Sequence, residues 1–404
     1  MLTLLRTRPM SFPATASHSL RVALLVFFVV RVLLSVWAVV VIEIVPAPLD
    51  PDPILRPYQG QPALLEGAGG MLLGPWQRFD TMRYLALAQE GYNAQNSVFP
   101  PVYPLLIGGV GRVIELLTPA TPEVAGMTAA LIISNVALIA ALALLHYVTT
   151  QELDEASAER SLAYLVFFPT GFFLFAAYSE SLFLLFGIGA LWLARRDEPL
   201  WAGMLGMLAA LTRLTGWALC LPLVYEYARQ RLFNRRNLDW RIFGAALPPL
   251  GLLAFLIWRN IAGLPPLNLV YEQFWFQRTA LPGADVWIAL QSALTGSGPR
   301  AKEFSLVLDV LVTGLLLITT VLAFRRLGPT YGIYGSSMLL FMLLPSSEVK
   351  PIYSFSRYAL MFFPTFMLMG DAGRRPWLHR LILYSSLILL LFFSGQFFLW
   401  GWVA

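Results

Sequence analysis

Apolar stretches long enough to form membrane helices recur along this 404-residue chain, with short polar segments between them. The first extends from about Leu20 to Val45 and is too long for the core of a signal peptide, so we expect it to remain as a helix. Others include Val124 to Thr149, Phe304 to Phe324 and Leu381 to Trp402. A helix needs about 20 apolar residues to cross a bilayer, so the pattern predicts an all-α polytopic membrane protein with about 11 transmembrane helices.

The composition agrees with a membrane protein. Hydrophobic residues make up 58% of the chain and charged residues 13%, and the mean hydropathy is +0.67. No segment has the features of a soluble catalytic domain, so we expect a single membrane domain over residues 1–404. The lone Cys220 excludes an intramolecular disulfide, and the three scattered histidines, His18, His146 and His379, indicate no metal site.

The basic residues predict the orientation of the helices and argue against nucleic-acid binding. Despite a net charge of +5, these residues occur mainly in short runs between apolar segments. The runs are Arg195-Arg196, Arg229 to Arg241, Arg325-Arg326 and Arg374 to Arg380. Loops rich in Lys and Arg face the cytoplasm, so these runs should lie there together with the N-terminus, which carries Arg6 and Arg8. Counting apolar runs between these markers places Tyr178-Ser179-Glu180 on the exterior side.

The segment from Pro101 to Leu117 is expected not to cross the membrane, because both of its ends fall on the exterior side in this topology. Pro100, Pro101 and Pro104 obstruct a regular helix entry. We therefore expect a re-entrant or interfacial segment within a large first exterior loop, residues 46–123. The alternative is a true crossing combined with a different break elsewhere. A second long exterior loop is expected at residues 262–303.

This topology collects acidic, basic and aromatic residues on the exterior side. They are Arg78, Asp80, Arg83, Glu90, Tyr178, Glu180, Arg213, Tyr271, Glu272, Arg278, Asp285, Arg300, Lys302, Glu348, Lys350, Tyr353 and Arg357. Cationic and aromatic groups at a bilayer boundary suit a lipid phosphate whose tail lies between helices, and hydroxyl-bearing rings suit a sugar. The alternative is an ordinary interfacial belt with neutralising ion pairs.

Two segments carry a family resemblance. WQRFDTMRYLALAQEGY followed by FPPVYPLLI, within residues 76–107, resembles the first lumenal loop of the PIG-V family, which comprises GPI mannosyltransferase II and its prokaryotic relatives. FPTGFFLFAAYSESLFLLF, residues 168–186, is similar to a second segment of that family. LTRLTGW near Arg213 and SFSRYALMFFPTF near Arg357 resemble its later helices more weakly. The family often has Trp before the acid and His two residues after it, where this chain has Phe79 and Met82.

The resemblance implies a GT-C type glycosyltransferase whose first exterior loop carries the catalytic acid. Such enzymes use a polyprenyl or dolichyl phosphate sugar, usually mannose, and need no metal or other cofactor. The expected partners are that donor, a glycolipid or glycan acceptor and membrane lipids.

Asp80 is the expected catalytic base. Inverting transfer from a lipid phosphate sugar needs one base, because the phosphate leaves as an anion. A glycosidase normally needs a second carboxyl group. Asp80 lies in the loop that the resemblance marks, beside the apolar Phe79. The alternatives are that Asp80 pairs with Arg78 or Arg83, or caps a helix from Thr81 to Gln89.

Seven other residues are candidates for substrate binding. Arg357 offers a fork-like contact to the donor phosphate, and Lys350 offers a second positive charge. The alternative for both is that the charged group only extends to the membrane–water interface. Glu180 is expected to hold a sugar hydroxyl or orient an arginine, or to complement a helix dipole. Arg213 is expected to be a phosphate ligand or the partner of an acid such as Glu180. Arg83, Tyr178 and Tyr353 complete the set.

Two classes of function compete at this point. The first is an inverting glycosyltransferase, most simply a mannosyltransferase, that acts on a hydroxyl at the exoplasmic or lumenal face. The second is a membrane transporter or lipid-linked sugar flippase, which would place its key charges near the bilayer midplane. Short loops and the absence of N-x-S/T sites from the expected exterior loops favour a bacterial plasma membrane, with the ER membrane as the eukaryotic equivalent.

Overall fold

The computed structural model describes residues 12–45, 67–233, 237 and 239–403. The expected cytoplasmic residues Arg6 and Arg8, and residues 46–66 of the expected first exterior loop, lie outside the described residues. The protein is 77% helical, so the prediction of an all-α fold is confirmed.

Seventeen α-helices are present in the described part of the chain. In chain order they are α1 (Phe12–Ile44), α2 (Gly67–Leu73), α3 (Asp80–Glu90), α4 (Val102–Leu117), α5 (Pro122–Glu152), α6 (Glu155–Val166), α7 (Glu180–Ala194), α8 (Pro199–Ala210), α9 (Cys220–Phe233), α10 (Leu247–Ile261), α11 (Leu267–Trp275), α12 (Ala284–Thr295), α13 (Phe304–Arg326), α14 (Pro329–Leu343), α15 (Phe355–Tyr358), α16 (Phe363–Ala372) and α17 (Pro376–Phe398). Short 3-10 helices occupy Gly74–Trp76, Gly171–Leu174, Leu214–Leu219, Trp240–Ala246 and Ala359–Met361.

Five helices of the described chain are long and apolar enough to cross a membrane: Thr15–Ile44, Pro122–Glu152, Trp240–Ile261, Phe304–Arg326 and Pro376–Phe398. They agree with an integral membrane protein, whereas the expected number of about 11 crossings is not reproduced by helices of this length. Several of the other expected crossings are short or broken. The apolar run from Ser161 to Ala177, for example, is helical only as far as Val166 because Pro169 and Gly171 follow; a Cβ on Gly171 would lie 2.4 Å from the Val166 carbonyl oxygen.

The segment expected to be re-entrant forms α4, which packs against the first half of α5. The Tyr103 hydroxyl donates to the Ala130 carbonyl at 3.1 Å and lies 2.7 Å from Ser134 Oγ. At the other end of α4, Gly111 comes close to Gly126, where a Cβ would lie 3.6 Å from the Gly126 Cα. Helix α4 thus runs antiparallel to α5 and ends near its start, an arrangement that a re-entrant segment and a true crossing share.

The ion pairs gather at two ends of the helix bundle. At one end, the expected cytoplasmic basic runs bind acids from neighbouring segments. These pairs are Arg195 with Glu152, Arg231 with Asp197, and Arg374 with Asp154. At the other end, where α3 and α7 begin, lie Asp80 and Glu180.

A two-residue antiparallel ladder is the β-structure of the described chain. Strand β1 (Arg278–Thr279) pairs with β2 (Pro345–Ser346), so that Arg278 lies opposite Ser346. The ladder joins the second expected exterior loop to the turn that precedes α15. In the chain, β1 lies between α11 and α12.

Candidate active site

Asp80 is the first residue of α3, and the residue before it has an unusual backbone conformation. Phe79 has φ 50° and ψ −113°, a region that bulky L-residues rarely occupy. Its ring centroid lies 5.0 Å from that of Trp402 and 5.8 Å from that of Phe397. Strained backbone of this kind persists where neighbouring groups fix it, and it is concentrated at functional sites. Here it marks the point at which the first loop turns into α3 and presents Asp80.

A chain of buried ion pairs begins at Asp80. Arg357 Nη1 donates to Asp80 Oδ2 at 2.7 Å, and Arg357 Nε donates to Glu180 Oε1 at 2.5 Å. Arg213 Nη1 donates to the same Glu180 oxygen at 2.7 Å. Glu180 is 0% exposed, Arg357 5% and Asp80 9%, so little solvent screens these contacts. Two arginines and two carboxylates therefore form one nearly neutral, desolvated cluster.

The observed partner of Asp80 is a residue that the sequence did not suggest. In the described contacts its carboxylate pairs with Arg357. The Arg78 guanidinium instead donates to the backbone carbonyls of Phe398 and Gly74, at 2.9 Å and 2.6 Å. Asp80 itself lies inside the first turn of α3 and is not a capping residue.

The Arg357 guanidinium is held in its charged form. Burial by itself lowers the pKa of this group, but Glu180 and Asp80 raise it, and the net effect is a pKa well above the usual value. The guanidinium also lies over the ring of Tyr178, 4.5 Å from its centroid, and over Phe173 at 5.1 Å. Arg357 therefore remains a fixed cation whose direction is set by two carboxylates and two rings.

The tyrosines of the cluster support its charged groups. The Tyr178 hydroxyl donates to the Arg78 carbonyl at 3.1 Å, which ties the start of α7 to the loop before Asp80. The Tyr84 hydroxyl lies 2.8 Å from Ser179 Oγ, and Arg213 Nη1 donates to the same oxygen at 3.2 Å. Tyr178 thus supports the charged groups by binding a backbone carbonyl and does not itself line the cavity.

A second cation lies beside the cluster. Lys350 Nζ is 5.0 Å from the ring centroid of Tyr353 and 4.6 Å from that of Trp402. The two rings are stacked, with centroids 5.2 Å apart and an angle of 27° between their planes. Trp402 also packs against Phe79, so this aromatic group connects Lys350 to the loop that carries Asp80.

These residues line a cavity of about 550 Å³. This volume lies within the range of roughly 300 to 1,000 Å³ that is typical of small-molecule sites. Its polar wall includes Asp80, Tyr84, Arg213, Lys350, Tyr353 and Arg357. Its apolar wall includes Leu214, Leu256, Leu267, Trp275, Phe341 and Leu344. A molecule with a charged or hydroxylated head and an apolar tail matches both walls.

The structure brings together most of the residues expected to bind substrate. Asp80, Arg213, Lys350, Tyr353 and Arg357 line the cavity. Glu180 and Tyr178 lie directly behind this wall, against Arg357. Arg83, in contrast, lies on α3 away from the lining, so its expected contact with the substrate has no support from its position.

Asp285 and Trp402 are among the residues of the cavity wall that were not candidates. Asp285 accepts hydrogen bonds from Ser346 Oγ at 2.6 Å and from the Ser347 backbone N–H at 2.7 Å, so it fixes the turn after β2. It appeared only as one member of the exterior set. Trp402 belongs to the run FFLWGWV, and aromatic residues near a helix end are normally taken for an interfacial belt.

The histidines are not as isolated as their spacing in the sequence suggests. His18 Nε2 lies 2.8 Å from Glu155 Oε1, and ligand atoms of His18, Glu155 and Glu159 lie within 4.8 Å of one another. All three residues are exposed, and they lie near the ends of α1 and α6, next to the ion pairs at the end of the bundle opposite Asp80. This group takes no part in the cavity.

An acid held by an arginine at one end of an all-α bundle, in a cavity with a cationic wall and an apolar wall, defines an integral membrane protein with a site suited to an amphipathic molecule. A comparison of the amino-acid sequence with known families identifies the class of protein more narrowly. The model of the family described as mannosyltransferase (PIG-V) matches residues 21–220, just under half of the chain, and over this range the chain is similar to that family. The resemblance inferred from the motifs is therefore confirmed. The matched range contains Asp80, Glu180 and Arg213.

Among solved structures, the oligosaccharyltransferase of Archaeoglobus fulgidus, crystallised in complex with Zn and sulfate, is similar to this chain. The match covers 91% of this chain and 53% of that protein, with 11% sequence identity and a TM-score of 0.44. The chain thus spans about half the length of that enzyme. No curated protein matches the chain in sequence.

Proposed function

We propose that the protein is a GT-C type enzyme that transfers a mannosyl group, with inversion, from a polyprenyl phosphate donor to a hydroxyl group of a glycolipid or glycan acceptor. The observation that carries this proposal is the position of Asp80, which lines the cavity while Arg357 holds one of its carboxylate oxygens at 2.7 Å.

Asp80 is proposed to act as the general base. The acceptor oxygen attacks the anomeric carbon, the bond from that carbon to the phosphate oxygen breaks, and Asp80 takes the hydroxyl proton. Arg357 binds Oδ2, and among the described residues no side chain or backbone group donates a hydrogen bond to Oδ1. Oδ1 is therefore the oxygen suited to receive the proton.

The donor phosphate is proposed to bind the cations of the polar wall. Arg357 already uses Nε and Nη1 on carboxylates, whereas its Nη2 makes no hydrogen bond to a described residue. Lys350 on the same wall adds a positive charge, and Arg213 a third. These groups bind the phosphate before transfer and stabilise the charge that develops on it as the bond breaks. The apolar wall suits the isoprenoid tail.

The reaction is proposed to need no metal cofactor, because the cations of the polar wall can stabilise the leaving phosphate. Activity is therefore expected to survive dialysis against EDTA. Loss of activity on chelation, with recovery on adding a divalent cation, would contradict this part of the proposal.

The cavity is proposed to face the exterior of a bacterial plasma membrane, or the lumen of the ER in a eukaryotic cell, with the N-terminus in the cytoplasm. This orientation follows from the basic runs, which gather at the opposite end of the bundle from Asp80. A transporter or flippase is less well supported, because the charges of the cavity lie together at the helix ends.

The test is transfer by the purified protein in lipid nanodiscs, with labelled polyprenyl phosphate mannose and a panel of acceptors. Asp80→Asn is expected to lower kcat by about 10²- to 10⁴-fold, the usual contribution of a general base. Glu272→Gln is the matched control, because Glu272 is an exposed carboxylate on α11 that does not line the cavity.

Equal transfer by the wild type and Asp80→Asn would overturn the assignment of the base. If the wild type transfers mannose to none of the acceptors but moves the labelled lipid between leaflets, the flippase function replaces the proposed one.

A further inference from the structure

Asp309 is a carboxylate inside an apolar membrane helix, and neither the family resemblance nor the mechanism uses it. It lies on α13 and is 0% exposed. An ionisable group in a membrane segment is costly and is by default a functional hypothesis. Asp309 does not line the cavity, so it does not touch the substrate.

Both oxygens of Asp309 have defined partners. Oδ1 accepts the backbone N–H of Ser356 at 2.8 Å, and Oδ2 accepts Arg300 Nη2 at 2.8 Å. Ser356 immediately precedes Arg357, the residue that holds Asp80. The Asp309 carboxylate is thus hydrogen-bonded to the backbone of the residue next to Arg357.

Arg300 extends this contact to the other end of the same segment. Its Nη1 donates to the Pro351 carbonyl at 2.9 Å, and its Nε donates to Glu303 Oε2 at 2.7 Å. Pro351 immediately follows Lys350. The Arg300–Asp309 pair therefore binds the backbone next to both cations of segment 350–357.

Segment 350–357 needs such support, because its backbone is strained. Ile352 and Ser354 have φ 46° and 63°, and Arg300 itself has φ 59°. Positive φ values at residues other than glycine persist only where the surroundings determine the conformation. A third hydrogen bond, from Thr170 Oγ1 to the Ser356 carbonyl at 2.7 Å, completes the support.

We infer that Arg300 and Asp309 are a positioning pair that fixes segment 350–357, so that Arg357 reaches Asp80 and Lys350 faces the cavity. Its catalytic consequence rests on the proposed function, whereas the placement of Lys350 does not. The competing view is that the pair is merely structural. That view predicts a less stable protein whose folded fraction works normally.

Two variants separate these views. Asp309→Asn removes the charge that binds Arg300, and it also lowers stability because Arg300 stays buried without it. The double variant Arg300→Met/Asp309→Leu removes both charges together, which is often neutral for stability. It still leaves the Pro351 carbonyl and the Ser356 N–H without their partners. Glu152→Gln, which breaks the Arg195 pair at the opposite end of the bundle, is the control for a general loss of stability.

The first readout is transfer per folded molecule. Asp309→Asn and the double variant are both expected to lower kcat by about tenfold to a hundredfold, since small misplacements of catalytic groups have effects of this size. Glu152→Gln is expected to lower the unfolding temperature and leave kcat unchanged. Thermal unfolding of each protein gives the folded fraction.

The second readout does not depend on activity. The chain has two lysines, Lys302 and Lys350, so an amine-reactive reagent followed by mass spectrometry reports on each separately. Lys350 is partly buried and Lys302 is exposed. Both variants are expected to change the labelling rate of Lys350 at least about threefold, because small displacements of a partly buried amine change its access to reagent, while Lys302 serves as the reference.

Unchanged Lys350 labelling together with unchanged kcat in Asp309→Asn would overturn the inference. Recovery of both quantities in the double variant, in parallel with recovered stability, would also overturn it in favour of the structural view. If no protein transfers mannose, the labelling result alone decides the inference.

Discussion

Arg357 and Asp80 are separated by 277 positions in the chain and joined by a hydrogen bond of 2.7 Å. The same guanidinium binds Glu180 through its Nε. Because a guanidinium is planar and its donors have fixed directions, it holds the two carboxylates in a defined relation to each other. The expected base of the first loop is thus positioned by a residue outside the matched family range.

Arg357→Lys tests this geometry. Lysine keeps the charge, but its single ammonium group lacks the rigid fork that binds both Asp80 and Glu180. We expect kcat to fall by about a hundredfold, because Asp80 loses its fixed position. Steady-state kinetics with polyprenyl phosphate mannose measure this loss.

Arg374→Lys is the control for the Arg357 substitution, since Arg374 pairs with Asp154 at the opposite end of the bundle. It is expected to leave kcat unchanged. Wild-type kcat in Arg357→Lys would show that charge alone suffices and that the fork has no role.

Glu180→Gln tests the buried part of the cluster. Glu180 is fully buried between Arg357 and Arg213, so the variant leaves two cations near each other without the carboxylate that they share. Removing one partner of a buried ion pair costs about 3–5 kcal/mol of unfolding free energy. Thermal or denaturant unfolding in detergent measures the loss.

Glu348→Gln is the exposed counterpart. It breaks the ion pair with Arg278, whose members are 75% and 62% exposed. Pairs of this kind contribute little, so no measurable change in stability is expected. An equal effect of the two substitutions would contradict the view that Glu180 stabilises the cluster through desolvated contacts.

The sequence allowed the members of the cluster to be chosen, though not their partners. Charged residues are rare in this chain, and the topology predicted from the basic runs places a short set of them on the exterior side. The family motifs marked Asp80 within this set. Arg213 was expected to be either a phosphate ligand or the partner of an acid such as Glu180, and its contact with Glu180 is present. The contact between Arg357 and Asp80 depends on how α3, α7 and α15 pack, which hydrophobic patterning does not specify.

Asp309 and the broken helices show a second limit of prediction from the sequence. Asp309 lies within an apolar run, and only the packing of α13 against segment 350–357 reveals its partners. The apolar run from Ser161 to Ala177 has the composition of one helix, but it is broken near Pro169. Composition predicts burial in a membrane protein, whereas the break depends on local backbone sterics.

Phe79 provides a test of backbone strain. Its φ of 50° is accessible to glycine and unfavourable for residues with a Cβ. Phe79→Gly and Phe79→Ala both lose the ring contacts with Trp402 and Phe397. Of the two, the glycine variant is expected to be more stable by about 1–2 kcal/mol, the cost of placing a Cβ at positive φ. Unfolding midpoints give this difference.

The same pair of substitutions at Phe173 is the control. Phe173 lies in a 3-10 helix with ordinary backbone angles, so glycine is expected to be less stable than alanine there, by about 0.5–1 kcal/mol. The opposite sign at the two positions is the specific expectation. Alanine as the better residue at both would mean that Phe79 is not strained in solution.

Lys350→Met tests the donor site. Lys350 lines the cavity beside Tyr353 and Trp402, and it is expected to bind the phosphate of the donor. Losing one hydrogen bond between charged groups costs about 1.5–3 kcal/mol, so the KM for the donor is expected to rise at least about tenfold. The KM for the acceptor should change little. Lys302→Met removes the other lysine of the chain, which lies outside the cavity lining, and should leave both KM values unchanged. An unchanged donor KM in Lys350→Met would move the phosphate site to Arg357 and Arg213.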